Sequence, residues 1–130
     1  MTKYASNLKY APTDSNRAAA AQFGPVYAKL LLEQVRTAGK QLHELSEMPT
    51  ATPEEILGAV LAWEAGQDEI AKLKKEMLGS AILGGAAVTT TASKLGVRPQ
   101  TLAAWLATTV AQFRGRELYL DTVDREWKAI

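Results

Sequence analysis

The sequence has no cysteine and only one histidine, His43. Without cysteine there is no disulfide staple, no thiolate nucleophile and no thiolate metal ligand, and a reducing compartment suits the chain. A lone histidine cannot build a histidine-based metal centre. Long apolar runs are also missing. The longest uncharged stretch, Met77–Ser93, contains Gly84-Gly85 and three successive threonines, and it falls short of the roughly 20 apolar residues of a membrane span. The opening residues, MTKYASNLKYAP, lack the apolar centre of a signal peptide. The expectation is a soluble, cytoplasmic protein with no membrane partner. Its 130 residues, 47% of them hydrophobic, suffice for one core.

Charge is nearly balanced overall, at +1, but it is distributed in blocks. Residues 1–40 carry six basic and two acidic side chains, and residues 41–69 carry seven acidic ones and no Lys or Arg. Residues 70–116 hold seven basic side chains against the single Glu76, and the last fourteen hold two against four. A basic segment of this kind is the electrostatic footprint of a nucleic-acid binder. Uneven charge on a solvated helical surface would give the same count.

The dominant periodicity is helical, and no stretch alternates like a half-buried strand for long. Asp14 and Ser15 are placed to cap a short helix ending at Phe23-Gly24, after which Pro25 suits the first turn of a second helix. Along that second helix Leu31, Val35, Ala38, Leu42 and Leu45 form a stripe of coiled-coil spacing that needs a partner. Pro49 and Pro53 end it. The next helix has the clearest start: Thr52 as cap, Pro53 first, and Glu55 completing a capping box. Its inner face is expected at Ile56, Val60 and Trp63. Gly66 marks a break or bend before a helix with Ile70, Leu73, Met77, Leu78, Ile82 and Leu83 on one side. Gly84 and Gly85 end that helix.

The segment ASKLGVRPQTLAAWL reads as two short helices meeting at a tight turn. Such a pair crosses at a steep angle over three or four residues, and one of them commonly takes a left-handed conformation that glycine tolerates. Gly96 fits that role. Small Ala92 allows close approach, Leu95, Val97, Leu102 and Trp105 plug the space between helices, and Pro99 starts the second helix.

The stretch ILGGAAVTTTASKLGVRPQTLAAWL resembles the helix-turn-helix units of bacterial and phage regulators, transposase N-terminal domains and sigma-factor region 4. The likeness covers about residues 82–109 and does not single out one family. It implies a supporting helix over 68–83, a second over Thr89–Leu95 and a recognition helix over Pro99–Thr109. In such units the recognition helix enters the major groove while the preceding helix crosses the backbone. Carried onto this sequence, base contacts fall to Arg98, Gln100, Thr101, Ala103 and Ala104. Phosphate contacts fall to Thr89, Thr90, Thr91, Lys94, Arg114 and Arg116, with Ala92, Leu95, Gly96, Val97, Leu102 and Trp105 as the packing core. Arginine pairs with guanine and glutamine with adenine, whereas alanine reaches only a thymine methyl. Arg98 stands where the family often has a serine cap. A bland alternative is a three-helix packing unit whose alanine face meets protein.

Beyond the motif the chain is expected to continue as helix, with Leu120, Val123, Trp127 and Ile130 forming an amphipathic C-terminal stripe over 117–130. The number of striped helices implies self-association, with a dimer favoured. A two-fold dimer would set two recognition helices about 34 Å apart. Glu54-Glu55 and Asp68-Glu69 are helix-start charges, the segment GSAILGG lacks the lysine of a phosphate loop, and no catalytic constellation or cofactor site is seen.

The sequence therefore predicts an all-α helical bundle with a helix-turn-helix unit in its C-terminal half. Residues 1–50 are expected to form an oligomerisation arm, 51–67 an acidic helix, 68–116 the DNA unit and 117–130 the last helix, with one compact domain overall as the alternative. The expected role is a non-enzymatic bacterial, phage or plasmid transcriptional regulator on double-stranded DNA, associated with the nucleoid. A phage DNA-packaging recognition subunit, forming a ring, and a protein-interaction module are the alternatives. The acidic segment offers a surface for a protein partner.

Overall fold

The computed structural model describes residues 6–130, so the first five residues of the expected arm lie outside the described residues. The fold is mostly helical. Its helices are α1 (Asp14–Ser46), α2 (Pro53–Ala65), α3 (Gln67–Leu83), α4 (Val88–Leu95) and α5 (Pro99–Leu106), with 3-10 segments at Ser6–Lys9 and Val110–Phe113. Among the described residues the only sheet is an antiparallel pair, β1 (Leu118–Leu120) and β2 (Trp127–Ala129). None of the described helices is long and apolar enough to cross a membrane. The chain divides into two units, one formed by Met1–Val26 with Lys75–Ile130, the other by Tyr27–Lys74.

In the first unit a core of Leu8, Ile82, Val88, Ala92, Leu102, Leu106 and Ala111 joins the described N-terminal residues to α3, α4 and α5. A second cluster packs Ala19 and Leu83 against Leu118 of the sheet. Three polar side chains near the start of α1, of which Asn16 is buried and Thr13 and Ser15 are half-buried, tie these layers together. Asn16, fully buried, donates from Nδ2 to the carbonyls of Phe113 and Arg116. Its Oδ1 accepts from the backbone N–H groups of Thr13 and Gly115 at 3.0 and 2.8 Å. All four bonds of a side-chain amide are thereby made. Thr13 completes the cap by accepting from the Asn16 N–H, so α1 is capped by Thr13 rather than by Asp14 or Ser15. Ser15 Oγ instead accepts from the Leu118 N–H at 2.8 Å.

The break expected at Phe23-Gly24 is absent, because α1 runs unbroken through Pro25. A proline inside a helix removes one hydrogen bond and restricts the residue before it by clash with that residue's Cβ. The preceding residue here is Gly24, which has no Cβ.

In the second unit α1 and α2 meet through small residues. A Cβ on Gly66 would lie 2.6 Å from the Ala38 Cβ, and Trp63 lies over Gly39. The capping box forms as expected: the Thr52 hydroxyl accepts from the Glu55 N–H at 3.2 Å, and the Glu55 carboxylate accepts from the Thr52 N–H at 2.9 Å. Hydrogen bonding from Thr52, its backbone N–H above all, holds the Glu55 carboxyl below its ordinary pKa. Gly66 caps α2, and α3 starts at the next residue. The inner face of α2 differs from expectation. Ala59 is the buried residue, while Ile56 and Val60 are about half exposed.

Residues 117–130 form a hairpin instead of an amphipathic helix. Leu118, Tyr119 and Leu120 pair with Ala129, Lys128 and Trp127. The connecting residues have turn chemistry: the Asp121 carboxylate accepts from the Val123 N–H, and the Asp124 carboxylate accepts from the Glu126 N–H. Lys128 Nζ closes the turn on Asp121 and Asp124 at 2.8 and 2.7 Å. Val123, expected in the helical stripe, is 92% exposed at the turn.

Candidate nucleic-acid interface

The local sequence explains the corner between α4 and α5. Gly96 adopts φ 71° and ψ 28°, the left-handed region in which glycine carries no Cβ penalty. The Gly96 N–H donates to the Ser93 carbonyl and the Val97 N–H to the Ala92 carbonyl at 3.0 Å, the paired bonds of a Schellman ending. Arg98 is extended, and Pro99 opens α5. Three residues thus separate the helices. Ala92 and Leu102 are fully buried, and Val97 and Trp105 pack partly buried against the same core. Leu95 departs from its expected place as a plug and is 46% exposed. It is the last helical residue before Gly96, and its side chain lies on the outer side of the corner.

Thr89 and Thr90 are exposed in the first turn of α4, and Thr91 is half-buried. The cap residue Ala87 has no side chain able to accept a hydrogen bond there. Ser93 and Lys94 are exposed further along the same helix. On α5 and its cap, Arg98, Thr101 and Ala104 are exposed and Gln100 is half-buried. Spacings of three place Arg98, Thr101 and Ala104 along one side. Ala103, expected at the bases, belongs to the core, since α5 turns it toward Ile82 and Leu106.

Arg114 is a second correction. Only 8% exposed, it donates from Nε to the Tyr10 carbonyl at 2.8 Å, and from Nη1 to the carbonyls of Ile82 and Ala86 at 3.2 and 2.7 Å. Burial lowers its pKa from the ordinary arginine value. Its role is to satisfy carbonyls at the end of α3 and in the loop before α4, which makes it a strut of the fold rather than a phosphate ligand. Arg116, two residues on, is exposed, with its guanidinium 6.0 Å from the Phe113 ring.

α5 stops at Leu106, earlier than the expected Thr109. The Thr109 hydroxyl donates to the Leu106 carbonyl at 2.7 Å and accepts from the Ala111 N–H. This local bonding competes with helix continuation and starts the 3-10 segment.

Sequence reasoning missed two polar groups on this surface. Ser93 adds a hydroxyl beside Lys94, and Lys75 Nζ stands 6.0 Å from the Trp105 ring, a cation–π arrangement that holds a charge near α5. The stripe of Ile70, Leu73 and Met77 leaves Lys75 on the solvent side of α3, but nothing in the sequence marks its partner thirty residues away. The electrostatics are one-signed, since residues 77–116 contain no Asp or Glu. No family model matches the chain, and comparison with the curated proteins and with the solved structures finds no match.

Proposed function

We propose that α4 and α5 act as a helix-turn-helix that binds double-stranded DNA, and that the protein regulates transcription by occupying a promoter or operator. The observation that carries this reading is the make-up of the exposed side of the two helices. Thr89, Thr90, Ser93, Lys94, Arg98 and Thr101 supply hydroxyls and cations there, with no carboxylate from residue 77 to residue 116. Hydroxyls and cations are the groups that meet phosphate oxygens.

In this reading α5 lies in the major groove, with Arg98, Gln100 and Thr101 at base edges. Arg98 is the main source of sequence discrimination, through a bidentate bond to guanine. Ala104 contributes at most a contact to a thymine methyl. Lys94, Arg116 and the threonine hydroxyls of α4 fix the register on phosphate.

The test is fluorescence anisotropy of a labelled random-sequence duplex, titrated at several salt concentrations. Affinity should fall steeply as salt rises, because phosphate contacts release counterions. Lys94→Ala should weaken binding to all sequences and flatten the log–log salt slope by about 1. Arg98→Ala should in addition relax preference within a selected site, by about 1–3 kcal/mol at one base pair. Absence of binding at low salt, or variants that bind like the parent, would overturn the reading.

A further inference from the structure

The second unit carries an uncovered apolar face. On α2, Ile56, Leu57, Val60 and Leu61 are 49%, 57%, 47% and 58% exposed. At 3.6 residues per turn they form one stripe about 140° wide, on the side turned away from buried Ala59. Four adjacent aliphatic side chains half in water make a patch of the kind that marks an interaction site.

Charge decides what covers it. Residues 41–69 have no Lys or Arg, and the stripe is flanked by exposed Glu54 and Glu64. Two such stripes brought together, parallel or antiparallel, would oppose carboxylate to carboxylate. The fitting surface is apolar and cationic, and the same unit has one. Lys29, Leu32 and Arg36 of α1 are all exposed, with exposed Glu33 at the edge of the same row, so that the row carries two cations against one carboxylate. Their spacing puts them on one side of the helix, roughly opposite Ala38, which faces Gly66. The stems of Lys29 and Arg36 extend the apolar surface of Leu32, and their charges meet Glu54 and Glu64.

We propose that the α2 stripe of one copy docks on the Lys29–Leu32–Arg36 row of α1 in a second copy, head to tail. The two faces are different, so each bound copy still offers one free face of each kind. The contact therefore repeats into a ring or an open chain and does not stop at the two-fold dimer expected from the sequence. This inference does not depend on DNA binding.

Sedimentation velocity of the full chain over a range of concentrations tests it. The parent protein should form species larger than a dimer, and these should loosen as salt rises. Leu57→Asp/Leu61→Asp and Lys29→Glu/Arg36→Glu should each run as a monomer. Mixed, they should form a one-to-one dimer and nothing larger, because each retains the face that the other lacks. A chain with Lys29→Glu/Arg36→Glu and Glu54→Lys/Glu64→Lys together should assemble again, which keeps the test valid if the aspartate variant fails to fold. A parent protein that stays monomeric, a two-fold dimer indifferent to Lys29→Glu/Arg36→Glu, or a mixture that does not pair would overturn the proposal.

Discussion

The core around α4 and α5 in the first unit and helix α2 in the second place their large aliphatic side chains in opposite ways. In the first, Ile82, Leu83, Leu102 and Leu106 are fully buried, and the exposed sides of α4 and α5 hold mainly hydroxyls, cations and alanine methyls. In the second, close contact is made by Ala38, Gly39, Ala59 and Gly66, while Ile56, Leu57, Val60 and Leu61 of α2 stand outside, although Leu73 of α3 is buried. Small residues let helix backbones approach, but they bury little apolar area. Around α4 and α5 the first unit is thus closed on its own core and offers a mainly polar surface. The second is unfinished by the same measure and offers an apolar one. The proposed DNA partner matches the former, and the proposed second copy the latter.

Paired truncations are the strongest way to break this contrast. Leu102→Ala should cost about 2–5 kcal/mol through lost burial and the cavity left behind. Leu57→Ala should stay within about 0.5 kcal/mol when measured at concentrations too low for association. Urea titration of both variants reads the difference, and equal costs would mean that the α2 stripe is part of a core after all. A smaller effect is expected from Asn16→Ala. It leaves the Gly115 N–H and the carbonyls of Phe113 and Arg116 without their buried partner, for a loss of about 3 kcal/mol or less. A midpoint shift below one-tenth of the parent's would show that water replaces the amide.

The smallest effect belongs to the hairpin. Bonds from Lys128 hold the carboxyls of Asp121 and Asp124 below their ordinary values, and the Lys128 ammonium is held above its own. The carboxylates bind protons less readily folded than unfolded. Their contribution is therefore complete above the unfolded aspartate value of about 4 and is lost as pH falls through the depressed values. The lysine contribution is complete below its unfolded value of about 10.4 and is lost as pH rises through the raised one. Trp127 emission should report loosening at acid pH, and Lys128→Met should remove that acid step. The groups lie at the surface, half-buried or exposed, so global stability should hardly change.

The legible parts of the fold were those fixed by neighbours in sequence. The Thr52–Glu55 box, the cap at Gly66 and the left-handed Gly96 each need only residues within a few positions, and each forms as read. The illegible parts depend on distant partners or on competing local bonds. Arg114 had the charge expected of a phosphate ligand, but its carbonyl partners at Tyr10, Ile82 and Ala86 lie far off in sequence. Residues 120–130 kept helical spacing of apolar side chains, yet the aspartate turns and the lysine clip favour a hairpin. On α2 the largest aliphatics were assigned inward, whereas the near-contact of Gly66 with Ala38 selects the small-residue face. On α5 the stripe was read one position too generously, which put Ala103 outside.

The amide of Asn16 also has a consequence for the order of folding. It reaches the Arg116 carbonyl across one hundred residues. During synthesis the bonds of that amide to Phe113, Gly115 and Arg116 must wait until nearly all of the described chain has emerged, although the Thr13–Asn16 cap of α1 is local. Residues 27–74 meanwhile have their own contacts in hand and can assemble early. A nascent chain halted before Phe113 would hold every residue of the second unit while the first still lacks its hairpin. Leu83 would then lack Phe113, Leu118 and Trp127 from its cover, leaving apolar surface of the kind that chaperones and proteases are built to recognise.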